Sequence, residues 1–461
     1  MLAQTGMALL NQRARPAPAT ATPTGNAGKL VVVTYHFPPD PSIGGMRWHG
    51  LTKYLARLGW HSWVLTGAPV PAGDGGSARV VVESCPRRKT INDLYRFVRL
   101  GSGTAPAEPG ADEGRDRAER PNGPVRWLGA LRLELSLALA FPDDARGWIL
   151  RAAGRARRLI ARERPDVVVS SGPPHSAHLV AWLATRRTGV RWLVDLRDPW
   201  AAPVSEAWRL NPLNRSYLAR WLAARLERLV MRSADGVVCN TRRFAEAVRE
   251  RHPGIVVEWI PNGVDAEILP RRSAALLPGL AAVHLGTIYG GRDPAPVLEA
   301  LRRFVDRHPE AAVDGPLLRL AGEIEAPQAR RLNRQLHALG LEPHVRLMGV
   351  LPRDEALALA ARSRLGIVLA QRQELQVPAK LYELAGIGVP TVVLAGPGSA
   401  ANEEARRVGA EVIDPSDVAA LERILEAAWN DGGAGKTGLN PFVGYDQLAA
   451  RVTGLLVRRE S

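Results

Sequence analysis

The sequence predicts an α/β protein built from two doubly wound domains, each a parallel sheet covered by helices on both faces. Three observations carry that reading. Short apolar runs alternate with amphipathic helical stretches along almost the whole chain, the pattern of a parallel sheet with helical crossovers. The 461 residues exceed what one hydrophobic core ordinarily serves. The alternation also pauses once, near 265–280, just after the turn-forming run Pro261-Asn262-Gly263-Val264-Asp265. A hydrophobic content of 46% and a charged content of 23% are those of a globular chain.

The elements follow in order. Residues 1–28 are rich in Ala, Pro and Thr and read as a disordered tail. In the first domain, 29–270, strand-like runs at 29–34, 62–66, 166–170, 191–195, 236–240 and 256–260 alternate with helical stretches around 47–58, 175–187, 212–232 and 242–251. Residues 101–124, rich in Gly, Pro and charge, read as an insertion loop. The second domain, 271–435, repeats the alternation. Its strands are expected at 282–286, 317–321, 345–348, 366–370, 391–394 and 411–413. Its helices are expected at 294–308, 326–339, 353–361, 379–387, 400–408 and 417–429. Within 436–461 an amphipathic stretch at 447–458 reads as a C-terminal helix that packs back on the first domain. Two such domains in series face one another across a cleft, where ligands belong.

Composition narrows the function. Two cysteines, Cys85 and Cys239, are too few for a disulfide scaffold or a cysteine-rich metal site, and a reducing cytoplasm fits them. No run of 18 apolar residues is present to span a membrane, and residues 1–10 lack the basic start of a signal peptide. The net charge of +15 is unevenly spread. Residues 1–270 hold 38 Lys+Arg against 24 Asp+Glu, a net of +14, whereas 271–461 hold 23 against 22, a net of +1. Arginines crowd 146–164 and 209–232. Such faces suit an anionic membrane surface, each cation there being worth on the order of 1 kcal/mol; a solvated arginine-rich face is the alternative. No nucleic-acid motif or aromatic stacking array accompanies the charge, so nucleic acid is not an expected partner.

Several residues sit where chemistry collects. Lys380 and Glu383 are three apart in the first turn of a helix that Pro378 opens, so they share one face. A lysine and a carboxylate at a free helix N-terminus suit a nucleotide, cation to phosphate and carboxylate to ribose; a surface ion pair is the plain alternative. Gly44 and Gly45 lie between a strand and a helix, where bare backbone N–H groups suit a phosphate or form an ordinary turn. There is no G-x-G-x-x-G, so a nicotinamide cofactor is not expected. His175 follows Pro173 and Pro174 just past a strand, and a capping or core histidine is the plain alternative to a site residue there. Asp195, Arg197 and Asp198 stand at a strand's C-terminal end, either holding the loop or meeting a ligand. Arg292 follows Gly286 and Gly290-Gly291 in the first loop of the second domain, where a guanidinium can grip a diphosphate; a surface arginine is the alternative.

Six motifs in this order resemble glycosyltransferase family 4, of the GT-B fold, over nearly all of 29–435. They are Tyr35-His36-Phe37-Pro38-Pro39 with Gly44-Gly45 and Arg47; Ser170-Ser171-Gly172-Pro173-Pro174-His175; Asp195-Leu196-Arg197-Asp198-Pro199-Trp200; Pro261-Asn262-Gly263-Val264-Asp265; Gly286-Thr287-Ile288-Tyr289-Gly290-Gly291-Arg292; and Pro378-Ala379-Lys380-Leu381-Tyr382-Glu383. The resemblance implies a retaining transferase that takes a nucleotide diphosphate sugar as substrate and needs no further cofactor. It implies donor contacts at Gly44, Gly45, Gly286, Arg292, Lys380 and Glu383, and catalytic roles for Arg292, Lys380 and His175. The acceptor side would hold Arg47, Asp195, Arg197 and Asp198. Acceptors of similar proteins are often lipid-linked or growing surface polysaccharides, which suits a cytoplasmic protein peripheral on the inner face of the plasma membrane.

Two departures stand out. Many members carry two glutamates eight residues apart, but here Leu375 stands eight before Glu383 and Glu374 nine before. Many carry a lysine soon after the phosphate-binding arginine, where this chain reads Asp293-Pro294-Ala295-Pro296-Val297. No D-x-D is present to hold a metal on the donor. Gly432-Gly433-Ala434-Gly435-Lys436-Thr437 lacks the first glycine and the helix of a phosphate loop and reads as a turn. A sugar-nucleotide epimerase and a non-catalytic scaffold of the same fold are the rival readings.

Overall fold

The computed structural model describes residues 27–40, 42–70, 78–89, 141–201, 216–312, 315–430 and 444–457. Residues 1–26 of the expected tail, the insertion at 101–124 and the glycine-rich turn at 432–437 lie outside the described residues, and Gly28, the tail's last expected residue, already opens the first strand. Two all-parallel sheets form, as the alternation predicts. The first has seven strands in the order β3-β2-β1-β4-β5-β6-β7. These are β1 (Gly28–Thr34), β2 (Trp60–Thr66), β3 (Val80–Ser84), β4 (Val167–Gly172), β5 (Arg191–Leu196), β6 (Gly236–Cys239) and β7 (Val257–Trp259). The second has six in the order β10-β9-β8-β11-β12-β13. These are β8 (Ala282–Leu285), β9 (Leu318–Ala321), β10 (Val345–Gly349), β11 (Leu365–Leu369), β12 (Thr391–Leu394) and β13 (Glu411–Ile413). Edge strand β3 was not expected from the sequence: its Val80-Val81-Val82 run is short and ends in polar Glu83-Ser84.

Helices cover both faces because the central strands are apolar on both. Leu30 and Val32 of β1 face α1 (Ile43–Arg57), whose Trp48, Leu51 and Leu55 complete that layer. Val31 and Val33 face the other way, toward α2 (Ile149–Glu163), α3 (Ser176–Thr185), α4 (Tyr217–Ser233) and α5 (Arg242–Arg251). In the second domain α6 (Ala295–Arg307), α7 (Ala326–Ala338) and α11 (Val418–Asn430) cover one face through Phe304, Leu332 and Leu421. The opposite face takes α8 (Arg353–Arg362), α9 (Ala379–Ile387) and α10 (Ala400–Arg407) through Leu357, Leu381 and Ala401. The expected helix at 212–232 begins at Tyr217, after a Ser216 cap whose hydroxyl accepts from Ala219 N at 3.1 Å.

The last helix, α12 (Tyr445–Leu456), lies on the first domain against α1. Its start pairs with the junction between domains, Tyr445 N donating to Val264 O at 2.9 Å. Tyr445 is buried over Gly50, where any Cβ would meet its ring. Arg191 donates to the carbonyls of Leu455 and Leu456 and closes the helix's far end. The chain thus crosses between domains twice. Because Tyr445 anchors the second crossing, Tyr445→Ala should cost about 3–5 kcal/mol of stability by urea unfolding; an unchanged midpoint would show that the strap adds nothing.

Candidate active site

Strand order reverses direction between β1 and β4 in the first sheet and between β8 and β11 in the second. Ligands of open parallel sheets bind beyond the strands' C-terminal ends at such points. The two points face one another across a cleft of about 1030 Å³, lined by residues of both domains, among them Gly44, Asp198, Gly286, Arg353, Lys380 and Glu383.

On the second-domain wall the chain leaves β11, crosses to the first domain, and returns at Pro378 to start α9. Lys380 Nζ lies 2.6 Å from Glu383 Oε2, the pair expected from their spacing. A second cation was missed: Arg353 Nη2 lies 2.8 Å from Glu383 Oε1, so both carboxylate oxygens are held. The same logic that found Lys380 would have found Arg353, which also opens a helix directly after a proline. Arg292 comes from the β8–α6 loop; it does not itself line the cleft, whereas its neighbours Gly286 and Thr287 do. Its Nη1 donates to Thr287 O at 3.0 Å and its guanidinium lies 4.6 Å over the Tyr289 ring. Burial pulls its pKa below the usual arginine value. Gly286 has φ +134° and Gly322 φ +148°, and a Cβ on Gly322 would strike the Gly286 carbonyl. Glycine at both places lets the ends of β8 and β9 meet beside the cleft.

Loop 371–376 fixes this wall. Gln371 Nε2 donates to Asp293 O at 2.6 Å and Gln373 Nε2 to the Tyr289 hydroxyl at 2.9 Å. Leu375 packs against the first domain's core, and its carbonyl accepts from Thr241 Oγ1 at 2.8 Å. The displaced acid, Glu374, is exposed and does not line the cleft.

On the first-domain wall the expected residues divide. Asp198 lines the cleft, and its Oδ1 accepts from Gln376 Nε2 at 2.6 Å across the domain boundary. Asp195 is turned inward. It is 0% exposed and accepts from Arg47 Nε (3.2 Å), Trp48 Nε1 (2.8 Å) and Ser171 Oγ (2.7 Å). Of its two sequence readings, geometry favours holding the loop. Arg47, 3% exposed, continues to Pro261 O (2.8 Å), Ile260 O (2.9 Å) and Asn262 Oδ1 (3.2 Å). Arg197 donates to Gly44 O at 2.8 Å and to Pro173 O, joining the β1–α1 and β4–α3 loops. Gly44 lines the cleft over that guanidinium, where a Cβ would come 2.8 Å from Nη1. The Gly45 N–H is already given to Ser42 O at 3.1 Å. His175 does not line the cleft; Pro173 and Pro174 do. Its ring lies flat on Trp200 at 4.8 Å, and burial, then His178 and Arg197, hold its pKa well below the usual range, so it is neutral.

The Arg47–Asp195 pair is buried, with Arg47 bordering the cleft, so removing one partner strands the other's charge. Arg47→Ala should therefore cost about 3–5 kcal/mol in urea unfolding. A loss under 1 kcal/mol would mean that water reaches Asp195.

Comparison with known proteins agrees with this arrangement. Residues 44–263 match the family described as the glycosyl transferase 4-like domain. No curated protein matches the sequence. Among solved structures, sucrose-phosphate synthase from Thermosynechococcus elongatus superposes with a TM-score of 0.59 at 13% identity, over 93% of this chain and 98% of that one. Anabaena HepE in complex with UDP-glucose gives 0.54 at 12% identity, over 93% and 97%. A UDP-forming trehalose-phosphate synthase from Burkholderia xenovorans gives 0.52 at 14% identity, over 93% and 95%. At such identities the likeness is one of fold. With the six ordered motifs, the family match makes residues 44–263 a glycosyl transferase 4-like domain, and the whole chain takes the GT-B fold.

Proposed function

We propose that the chain moves a sugar from a nucleoside diphosphate sugar, held by the second domain, to an acceptor held against the first. One observation carries the donor side: the Lys380–Glu383–Arg353 cluster at the start of two helices, beside Gly286 and Arg292, at the point where strand order reverses. A bound diphosphate would draw Lys380 toward its oxygens and leave Glu383 to accept from ribose hydroxyls. The reaction then breaks the bond between the anomeric carbon and the diphosphate oxygen. The acceptor hydroxyl oxygen bonds to that carbon on the same face, and its proton leaves with the departing diphosphate, so configuration is retained. Negative charge grows on the leaving group as the bond breaks, and Arg292 and Lys380 are the cations aimed there, which is why no metal is invoked. HepE, bound to UDP-glucose in its own crystal structure, supports a uridine donor as the first to try.

A lipid-linked or surface-polysaccharide acceptor, met at the inner face of the plasma membrane, fits the first domain's surface. On α4, Tyr217, Trp221, Arg225, Arg228 and Arg232 recur every three or four residues and so form one stripe. Tyr217 is 72% and Trp221 46% exposed. The Arg225 guanidinium sits 4.9 Å over the Trp221 ring, and the helix's only acid, Glu227, is buried. Aromatic rings beside arginines match the interfacial zone of an anionic bilayer. No helix of the described residues is long and apolar enough to cross a membrane.

A thermal-shift panel of nucleotide sugars identifies the donor. In Glu383→Ala, affinity for the matching nucleoside diphosphate should fall by about 1–3 kcal/mol, and Arg292→Ala and Lys380→Ala should lose about a hundred- to a thousandfold in turnover. Wild-type affinity in the first variant, or wild-type turnover in both others, would move the donor elsewhere. Incubation with donor alone separates the rivals, since an epimerase converts it and a transferase leaves it almost intact. For the membrane reading, sedimentation with anionic vesicles should weaken as salt rises and weaken further in Tyr217→Ser/Trp221→Ser. Equal binding to neutral vesicles, or none to either, argues against it.

A further inference from the structure

His284 lies on β8, the strand at the reversal point of the second sheet, and is 3% exposed. Its Nδ1 lies 3.0 Å from the carbonyl of Ile367 on the neighbouring strand β11. A carbonyl only accepts, so Nδ1 carries the hydrogen and Nε2 is left with a lone pair. Burial first, and then the charges of Arg292 and Lys380, push its pKa down to about 4 against the raising effect of the Ile367 bond, so the ring is neutral near pH 7. Nε2 is buried without a partner among the described residues.

That lone pair opens on the hollow that the missing side chain of Gly286 leaves. A Cβ built on Gly286 would lie 3.6 Å from Arg292 Nη1 and 4.0 Å from both His284 Nε2 and Lys380 Cγ. Arg292 Nε is likewise buried without a partner. One hollow therefore gathers an acceptor without a donor, one edge of a guanidinium whose Nε is unpaired while its Nη1 leans on Thr287 O, and the stem of a lysine. A buried polar atom left unpaired is costly, so an arrangement that pairs them is favoured once something brings the groups together.

We propose that His284 is a positioning residue for the donor diphosphate: its Nε2 accepts an N–H of Arg292 and holds that guanidinium toward the phosphates. This rests on the donor site proposed above. Neither the Pro378–Glu383 motif nor the Gly286–Arg292 motif contains His284, so the role belongs to this chain's own packing. Neutrality is essential to it, because a protonated ring would add a third positive charge to Arg292 and Lys380 and would offer no lone pair. Its position in the strand, rather than in a loop, makes it a fixed point against which the Arg292 guanidinium can be aimed.

Inorganic pyrophosphate tests this without knowledge of base, sugar or acceptor. Its affinity is measured by calorimetry on the whole chain for the unchanged protein, for His284→Phe and His284→Met, which fill the space but accept nothing, and for His284→Gln, whose amide oxygen reaches the Nε2 position. Unliganded melting temperatures identify the variants that fold. We expect a loss of about tenfold or more in whichever apolar variant folds, and affinity within about threefold of wild type for Gln. Wild-type affinity in an apolar variant overturns the role. So does loss in the Gln variant, because packing alone then explains the site. Arg292→Ala and Lys380→Ala serve as controls. If they bind pyrophosphate as well as wild type, the donor site itself is misplaced; if they lose it while the His284 variants do not, only the role of His284 fails.

Discussion

The buried Arg47 guanidinium is the interaction on which the rest of the cleft depends. It starts in α1, meets Asp195 at the end of β5, and spends further hydrogens on the carbonyls of Ile260 and Pro261 and the side chain of Asn262. Two charges taken from water are stable only if further hydrogen bonds occupy their donors and lone pairs. Here Trp48 and Ser171 add two donors to the carboxylate, and three oxygens of the junction bring the guanidinium to four of its five N–H bonds. The consequence is geometric. The start of α1, the end of β5 and the segment where the chain leaves the first domain are tied at one point. Arg197 then ties Gly44 to Pro173 one layer nearer the cleft. The first-domain wall is therefore a set of loops held from behind, and the residues free to meet a ligand are those these clamps leave over, Asp198 among them.

The opposite wall follows another logic. Its cations are held by groups that a ligand can displace. Lys380 and Arg353 share one carboxylate, Glu383, and Arg292 rests on a carbonyl and a ring. Glu383 is buried and Lys380 is mostly covered, so giving up their pairing is offset only when an incoming anion such as a diphosphate supplies the same charge. What the fold supplies is placement: helix starts, glycines that let strand ends approach, and a loop pinned by Gln371 and Gln373. Under the donor reading proposed above, a polyanion would meet cations whose orientation is set before it arrives.

The sequence was most legible where a physical rule fixes position. Alternation gave both sheets, and the spacing of Lys380 and Glu383 gave their contact, because helix geometry leaves few options. It was least legible where a tertiary partner decides. Asp195 and Asp198 are three residues apart on one strand end, yet one is sealed against Arg47 and the other faces the cleft. Nothing local separates them; the partners arrive from residues 47 and 376. His175 looked like a cleft residue because it follows two prolines beyond a strand, but Trp200, distant in sequence, covers it. Arg353 and His284 went unread for the opposite reason. Each is ordinary in its own segment and becomes distinctive only beside Glu383 or beneath Gly286. Strand β3 was lost because an edge strand needs little apolar length.

The charge asymmetry between halves acquires a direction from the topology. A helix that joins two parallel strands runs opposite to them, so its first turn lies at the strands' C-terminal end. In α4 that first turn carries Tyr217 and Trp221, while Arg225, Arg228 and Arg232 follow toward the other end. In α2 the first turn carries exposed Leu150, with Arg151, Arg157 and Arg158 behind it. Both helices lie on the same face of the first sheet, on either side of α3. The exposed apolar groups therefore stand at the end of the domain where the cleft opens, and the arginines fan out behind them. A surface gripping those side chains would come to rest beside the cleft mouth. Under the membrane reading proposed above, an acceptor anchored in such a surface would be delivered close to Asp198 and the loops around it.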